Sequence, residues 1–112
     1  RVIHHEIFHI INDSHKKNFD ESEWKKFNNS EFKYADCSTC TDRVDLSLYK
    51  KTNGFLTEYS MTTPSEDMAE IFSFLMTDKK NIENKSTNDP ILYKKISFIK
   101  KGISKIDNKF RF

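Results

Sequence analysis

Arg1-Val2-Ile3-His4-His5-Glu6-Ile7-Phe8-His9-Ile10-Ile11-Asn12-Asp13 opens the chain. No Gly or Pro interrupts this stretch. Val2, Ile3, Ile7, Ile10 and Ile11 recur close to the 3.6-residue period, which predicts an amphipathic helix with an apolar stripe. Within it lies His5-Glu6-x-x-His9. Residues four apart share one helical face, about one turn from each other. His5 and His9 can therefore direct ring nitrogens onto one zinc ion, about 2.0–2.1 Å from each. Glu6 then stands beside that ion, placed to take a proton from an attacking water. Four His and eight Glu in 112 residues would produce this pattern by chance about 0.01 times per chain, so the spacing is read as chemistry.

A chain of 112 residues fits one domain. Hydrophobic content is a modest 36%, yet ten Phe, four Tyr and one Trp supply large apolar units for a core. Nineteen Lys and Arg against seventeen Asp and Glu leave a net charge of +2. That balance implies no strong electrostatic partner, and no polybasic surface points to nucleic acid. No apolar run approaches the ~18 residues of a membrane span, so no membrane segment is expected. The chain opens without a Met or a signal peptide, almost inside the candidate active helix.

Further along, Asp20 with Glu23 three residues on predicts the N-terminus of a short helix carrying Trp24 and Phe27. Residues 28–58 are poorly periodic, with turn signals at Asn28-Asn29-Ser30 and Thr52-Asn53-Gly54. They read as a long irregular excursion with short strands at 44–49 and 55–58. A loop of that length is uncommon in a compact domain unless it carries function. Thr63-Pro64-Ser65-Glu66 opens the next helix as a capping box with Pro at the first helical position. Asp89-Pro90 opens the last, whose Leu92, Ile96, Ile99, Ile103 and Ile106 recur at helical spacing and predict a core face. Trp24, Phe27 and Phe32 are read as core packing. The expected fold is mainly α with a few short strands (α+β).

Two histidines leave a catalytic zinc site one protein ligand short. Asp13 lies four residues after His9, a long reach for a short carboxylate, and could instead orient His9 by a hydrogen bond. Glu66 and Glu70 share one face of the second long helix, flanked by apolar residues that would bury it. Either Glu66 closes the capping box with Thr63, or it completes a His-His-Glu site; one carboxylate does not do both. Glu70 alone would otherwise be a solvated helix charge. His4 and His15 lie off the ligand face or too far along the chain.

His5-Glu6-Ile7-Phe8-His9, Phe32-Lys33-Tyr34 and the segment Gly54-Phe55-Leu56-Thr57-Glu58-Tyr59-Ser60-Met61-Thr62-Thr63-Pro64-Ser65-Glu66-Asp67-Met68-Ala69-Glu70 together resemble the zinc metallopeptidases related to the anthrax lethal factor catalytic domain. Those proteins are gluzincins, with two HExxH histidines and a downstream helical Glu on the metal. The resemblance spans about residues 4–76 and is most specific in Tyr-x-x-Thr-x-x-x-Glu-x-x-Ala-Glu. It implies Zn2+ held by His5, His9 and Glu66, Glu6 as general base, Glu70 as support, and Tyr59 as the group that steadies the oxyanion. The implied substrate is a peptide or protein. Domains of this kind place a sheet before the active helix. Residues 1–112 are therefore expected to form one zincin-like unit that is a fragment of a longer catalytic domain, binding zinc but turning over peptides poorly alone.

Cys37-Ser38-Thr39-Cys40 is a lone CxxC. It could be a redox pair, a small disulfide loop or half of a zinc site. The order His5-x3-His9-x27-Cys37-x2-Cys40 matches the zinc-binding domain of retroviral integrases, where four ligands close a structural zinc for nucleic-acid or protein binding without catalysis. That alternative leaves Glu6 and the 54–70 segment unexplained and lacks the basic patches of a nucleic-acid module. The peptidase reading is preferred. A Cys37–Cys40 disulfide would fit a secreted or exported protein.

Overall fold

Five α-helices and two short 3-10 turns make up the regular structure of the computed structural model, which describes residues 1–42, 45, 46, 48 and 52–112. In chain order they are α1 (Val2–Ser14), a 3-10 turn (Lys16–Asn18), α2 (Glu21–Lys25), a 3-10 turn (Tyr59–Met61), α3 (Pro64–Thr77), α4 (Lys79–Ser86) and α5 (Pro90–Ile106). The mainly α expectation holds. The short strands do not: no strand occurs among the described residues, and residues 55–58 bend into the second 3-10 turn. Phe55, Leu56 and Thr57 are buried in succession, without the in-out alternation of a strand with one solvated face. The strand expected at 44–49 lies largely outside the described residues.

The helix starts follow their side chains. Asp20 accepts hydrogen bonds from Ser22 N (2.8 Å) and Glu23 N (3.1 Å) at the head of α2. Thr63 accepts from Glu66 N (3.1 Å) at the head of α3, and Asp89 accepts from Leu92 N (3.0 Å) at the head of α5. Each satisfies a backbone donor that a helix leaves unpaired. The polar run of α4, Lys79-Lys80-Asn81-Ile82-Glu83-Asn84-Lys85-Ser86, was not expected as a helix. It buries only Ile82 and Ser86, too little to leave a period in the sequence.

α3 is the centre. Almost every side chain from Pro64 to Leu75 is buried, the pattern of a helix packed on all sides. α1, α2, α4, α5 and the Tyr59–Met61 turn all pack against it. The core collects Phe8, Phe19, Trp24, Met68, Ile71, Phe72, Leu92, Ile96 and Ile99. The α5 stripe faces that core as expected, although Ile106 at its end stays partly exposed.

α1 is present, but with its faces reversed. His5, Phe8 and Asn12 are its buried residues, and Ile11 is partly covered. Val2, Ile3 and Ile10 are 62%, 74% and 69% exposed. Bringing His5 and His9 against α3 forces Phe8 and Asn12 inward with them and turns the aliphatic stripe outward.

Gly102 sits inside α5, where glycine costs about 1 kcal/mol relative to alanine. A Cβ there would come within 2.3 Å of the Phe19 ring, which is buried against it. Gly102→Ala should therefore destabilise the fold by ~1–3 kcal/mol through overpacking, against its helix-propensity gain. Chemical denaturation checks this, and an unchanged or raised midpoint would contradict the packing assigned to Phe19.

Candidate metal centre

α1 presents His5 and His9 one turn apart, and α3 presents Glu66 and Glu70 one turn apart, on the faces where the two helices pack. His5 Nε2 lies 3.2 Å from Glu66 Oε1, and His9 Nε2 lies 2.5 Å from the same oxygen. The two Nε2 atoms are 3.1 Å apart. Donors around a tetrahedral zinc with bonds of 2.0–2.1 Å stand about 3.3 Å from one another. A slight outward movement of the Glu66 carboxylate would thus seat such an ion among two imidazoles and one carboxylate, a donor set suited to zinc. Glu6 is exposed, and its carboxylate lies within 4.8 Å of ligand nitrogens of both histidines.

Each donor is held from behind. His5 Nδ1 donates to Glu70 Oε2 at 2.9 Å, and a ring holding its proton there would offer Nε2 to a metal ion once the Nε2 proton is displaced. Glu70 Oε2 also accepts from Arg1 Nη1 (2.8 Å), and Oε1 accepts from Thr57 Oγ1 (2.8 Å). Ser65 Oγ lies 3.2 Å from His9 Nδ1. The Tyr59 hydroxyl donates to Glu66 Oε2, and its ring is tilted beside that of His5, 5.9 Å between centroids. Glu66 meets Thr63 and the histidines with different atoms. Its backbone N–H takes the Thr63 cap, while its carboxylate faces the imidazoles.

Two sequence candidates stand apart. Asp13 is exposed one turn beyond His9, and Ser65 rather than Asp13 partners the His9 ring. Cys37 and Cys40 are bonded to each other as a disulfide, not gathered with the histidines. Thr57, Ser65 and Arg1 were not anticipated, because a single hydroxyl or a terminal guanidinium carries no spacing signal.

Behind the site, Asp67 points to the other side of α3. Its Oδ2 accepts from Lys95 Nζ (2.8 Å), Tyr34 OH (2.7 Å) and Trp24 Nε1 (3.1 Å), and Asp67 and Lys95 are fully buried. Lys95 also donates to Gly54 O (2.9 Å) and lies 3.7 Å from the Phe55 ring centroid. Burial pushes the Asp67 carboxyl up and the Lys95 ammonium down, each opposed by its partner's charge. This knot ties the Tyr34 segment, the Gly54 turn and α5 to the helix that carries Glu66. Its sequence signal was Lys95, a cation beside Leu92 and Ile96 on the apolar face of α5.

Burial works against charge on His5, but hydrogen bonds and charge from Glu66 and Glu70 prevail and raise its pKa from 6.5 to about 9. Burial likewise works against ionisation of Glu66, and the bonds to His5 and His9 with their charge lower it from 4.5 to about 2. In the metal-free protein this pairing is one shared source of stability. The His5 side contributes fully below pH 6.5 and is lost as pH rises through about 9. The Glu66 side contributes above pH 4.5 and is lost as pH falls toward about 2.

Two histidines and a carboxylate converging between packed helices, with a second carboxylate alongside, define a helical domain with a zinc-type donor cluster. A family model described as "Putative zinc-binding metallo-peptidase" matches residues 1–112, and the chain belongs to that family. Searches of curated proteins and of solved structures returned no match. Among the described residues, no helix is long and apolar enough to cross a membrane.

The metal-free protein should therefore be most stable between about pH 4.5 and 6.5 and lose stability toward pH 9. Thermal melts across pH in a chelator check this. A His5→Ala variant should lack the alkaline decline, and finding the same decline in it would assign the effect elsewhere.

Proposed function

We propose that this chain carries the metal centre of a gluzincin-type zinc peptidase, similar to the lethal factor group, with His5, His9 and Glu66 as ligands. The observation that carries the reading is the convergence of His5 Nε2, His9 Nε2 and Glu66 Oε1 within 2.5–3.2 Å of one another, inside a chain of a zinc-binding metallo-peptidase family. A zinc ion there supplies a Lewis acid for the scissile carbonyl and lowers the pKa of bound water toward ~7.

The remaining roles belong to the chain's own side chains. Glu6, exposed and beside the ligand nitrogens, takes the proton from the attacking water and returns it to the leaving amine. Glu70 fixes His5 with its proton on Nδ1, so that Nε2 is the ligand atom. Tyr59, on the Glu66 carboxylate at the edge of the site, is the donor for charge developing on the carbonyl oxygen. A peptide or protein is the substrate class.

Zinc stoichiometry and affinity of variants test the ligand set. Glu66→Ala should lose more than the ~10–100-fold typical of an outer partner, while Glu6→Gln and the double variant Cys37→Ala with Cys40→Ala stay loaded. Loss of zinc only in the cysteine variant would refute the reading. Where hydrolysis is measured, Glu6→Gln should lower kcat by ~10²–10⁴-fold. Tyr59→Phe should lower it by ~10²–10³-fold with zinc retained. Zinc loss as the main effect of Tyr59→Phe would assign Tyr59 to holding Glu66 rather than to the oxyanion.

A further inference from the structure

We propose that Thr57 is a positioning residue of the metal centre: its hydroxyl locks the Glu70 carboxylate, and Glu70 in turn aims the His5 ring. The inference rests on the reading of His5 as a ligand and adds a residue to which that reading gives no role.

A hydroxyl has one proton to give and lone pairs to receive. Ser60 N donates to Thr57 Oγ1 at 3.1 Å, occupying a lone pair. The proton of Thr57 Oγ1 goes to Glu70 Oε1, 2.8 Å away. Both Thr57 and Glu70 are buried, so water is not at hand to replace either partner. On the opposite oxygen, Glu70 Oε2 receives Arg1 Nη1 at 2.8 Å and His5 Nδ1 at 2.9 Å. The carboxylate is thus gripped from both sides, and its plane cannot rotate without breaking a buried bond to an ionised group. Only the Thr57 side of that grip is fully enclosed, because Arg1 keeps some exposure.

The turn does not need this bond to hold its own shape. Ser60 Oγ donates to Thr57 O at 2.6 Å, and Ser60 N also reaches Thr57 O at 3.2 Å. Met61 N and Thr62 N close onto Glu58 O and Tyr59 O. The Oγ1–Glu70 bond instead reaches out of the turn, across thirteen residues, to α3. The same turn delivers the Tyr59 hydroxyl to Glu66. One short segment thereby holds one oxygen of each of the two α3 carboxylates, Glu66 and Glu70.

Three variants of the whole chain separate positioning from structure, with zinc affinity and the metal-free melting midpoint read side by side. Thr57→Val removes the hydroxyl at constant shape and should weaken zinc binding ~10–100-fold, the loss typical of an outer partner. Thr57→Ser restores the hydroxyl and should bind within about threefold of the parent, since the outer partner is back. Ser60→Ala weakens the turn but spares the Glu70 bond, so its midpoint should fall while its affinity holds. A folded Thr57→Val that binds zinc like the parent would overturn the proposal. So would a Ser60→Ala that weakens binding as much, or a Thr57→Ser that fails to recover it. In the unaltered protein, NMR should show the Thr57 hydroxyl proton exchanging slowly, and rapid exchange would overturn the proposal even if Thr57→Val does not fold. Failure of the parent chain itself to bind zinc through His5 would instead strike the zinc reading, and is told apart before any Thr57 comparison.

Discussion

Two acidic side chains one turn apart on α3 face the two ring nitrogens of His5, and the rest of the structure depends on keeping them there. An ionised carboxylate taken out of water must have its oxygens paired, or the burial costs several kcal/mol. Here both oxygens of each acid have donors or ring nitrogens against them. Glu70 has Arg1, His5 and Thr57, and Glu66 has the two imidazoles and Tyr59. Those partners come from α1 on one side and from the Tyr59–Met61 turn on the other. The polar cluster therefore dictates which elements must meet α3, and the apolar core fills in around that demand.

On the opposite side of α3 a third buried acid is paired through its Oδ2. Asp67 follows Glu66 directly and points away, into the enclosed group of Lys95, Trp24 and Tyr34. Replacing one partner of such a pair leaves the other charged and buried, which is far more damaging than a lost surface ion pair. Trp24, fully buried, uses its indole N–H on Asp67 as well as its rings on Phe27 and Phe98. The backbone position of Glu66 is thus pinned from behind by groups drawn from α2, the Tyr34 segment and α5.

Much of this was legible in the sequence, and the failures share one cause. The histidine spacing, the Thr63-Pro64 cap and the α5 stripe are local patterns, and each led to the right element. The apolar stripe of α1 showed a helix but not which of its faces is buried. Here the ring nitrogens of His5 and His9 had to face Glu66, and Ile3 and Ile10 were left exposed. α4 escaped notice because Ile82 alone cannot make a period. Whether Glu66 capped or faced the histidines could not be decided from Thr63 and Glu66 alone. The answer depended on α1, sixty residues away. Thr57 and Ser65 were invisible for the same reason, since a hydroxyl's role is set by what lies across from it.

X-ray absorption at the zinc edge of the loaded protein tests the central claim most directly, because it counts sulfur against nitrogen and oxygen. A centre built from His5, His9 and Glu66 predicts a shell of nitrogen and oxygen near 2.0–2.1 Å with imidazole scattering and no sulfur. Sulfur at about 2.3 Å would place the cysteines on the metal and contradict the account.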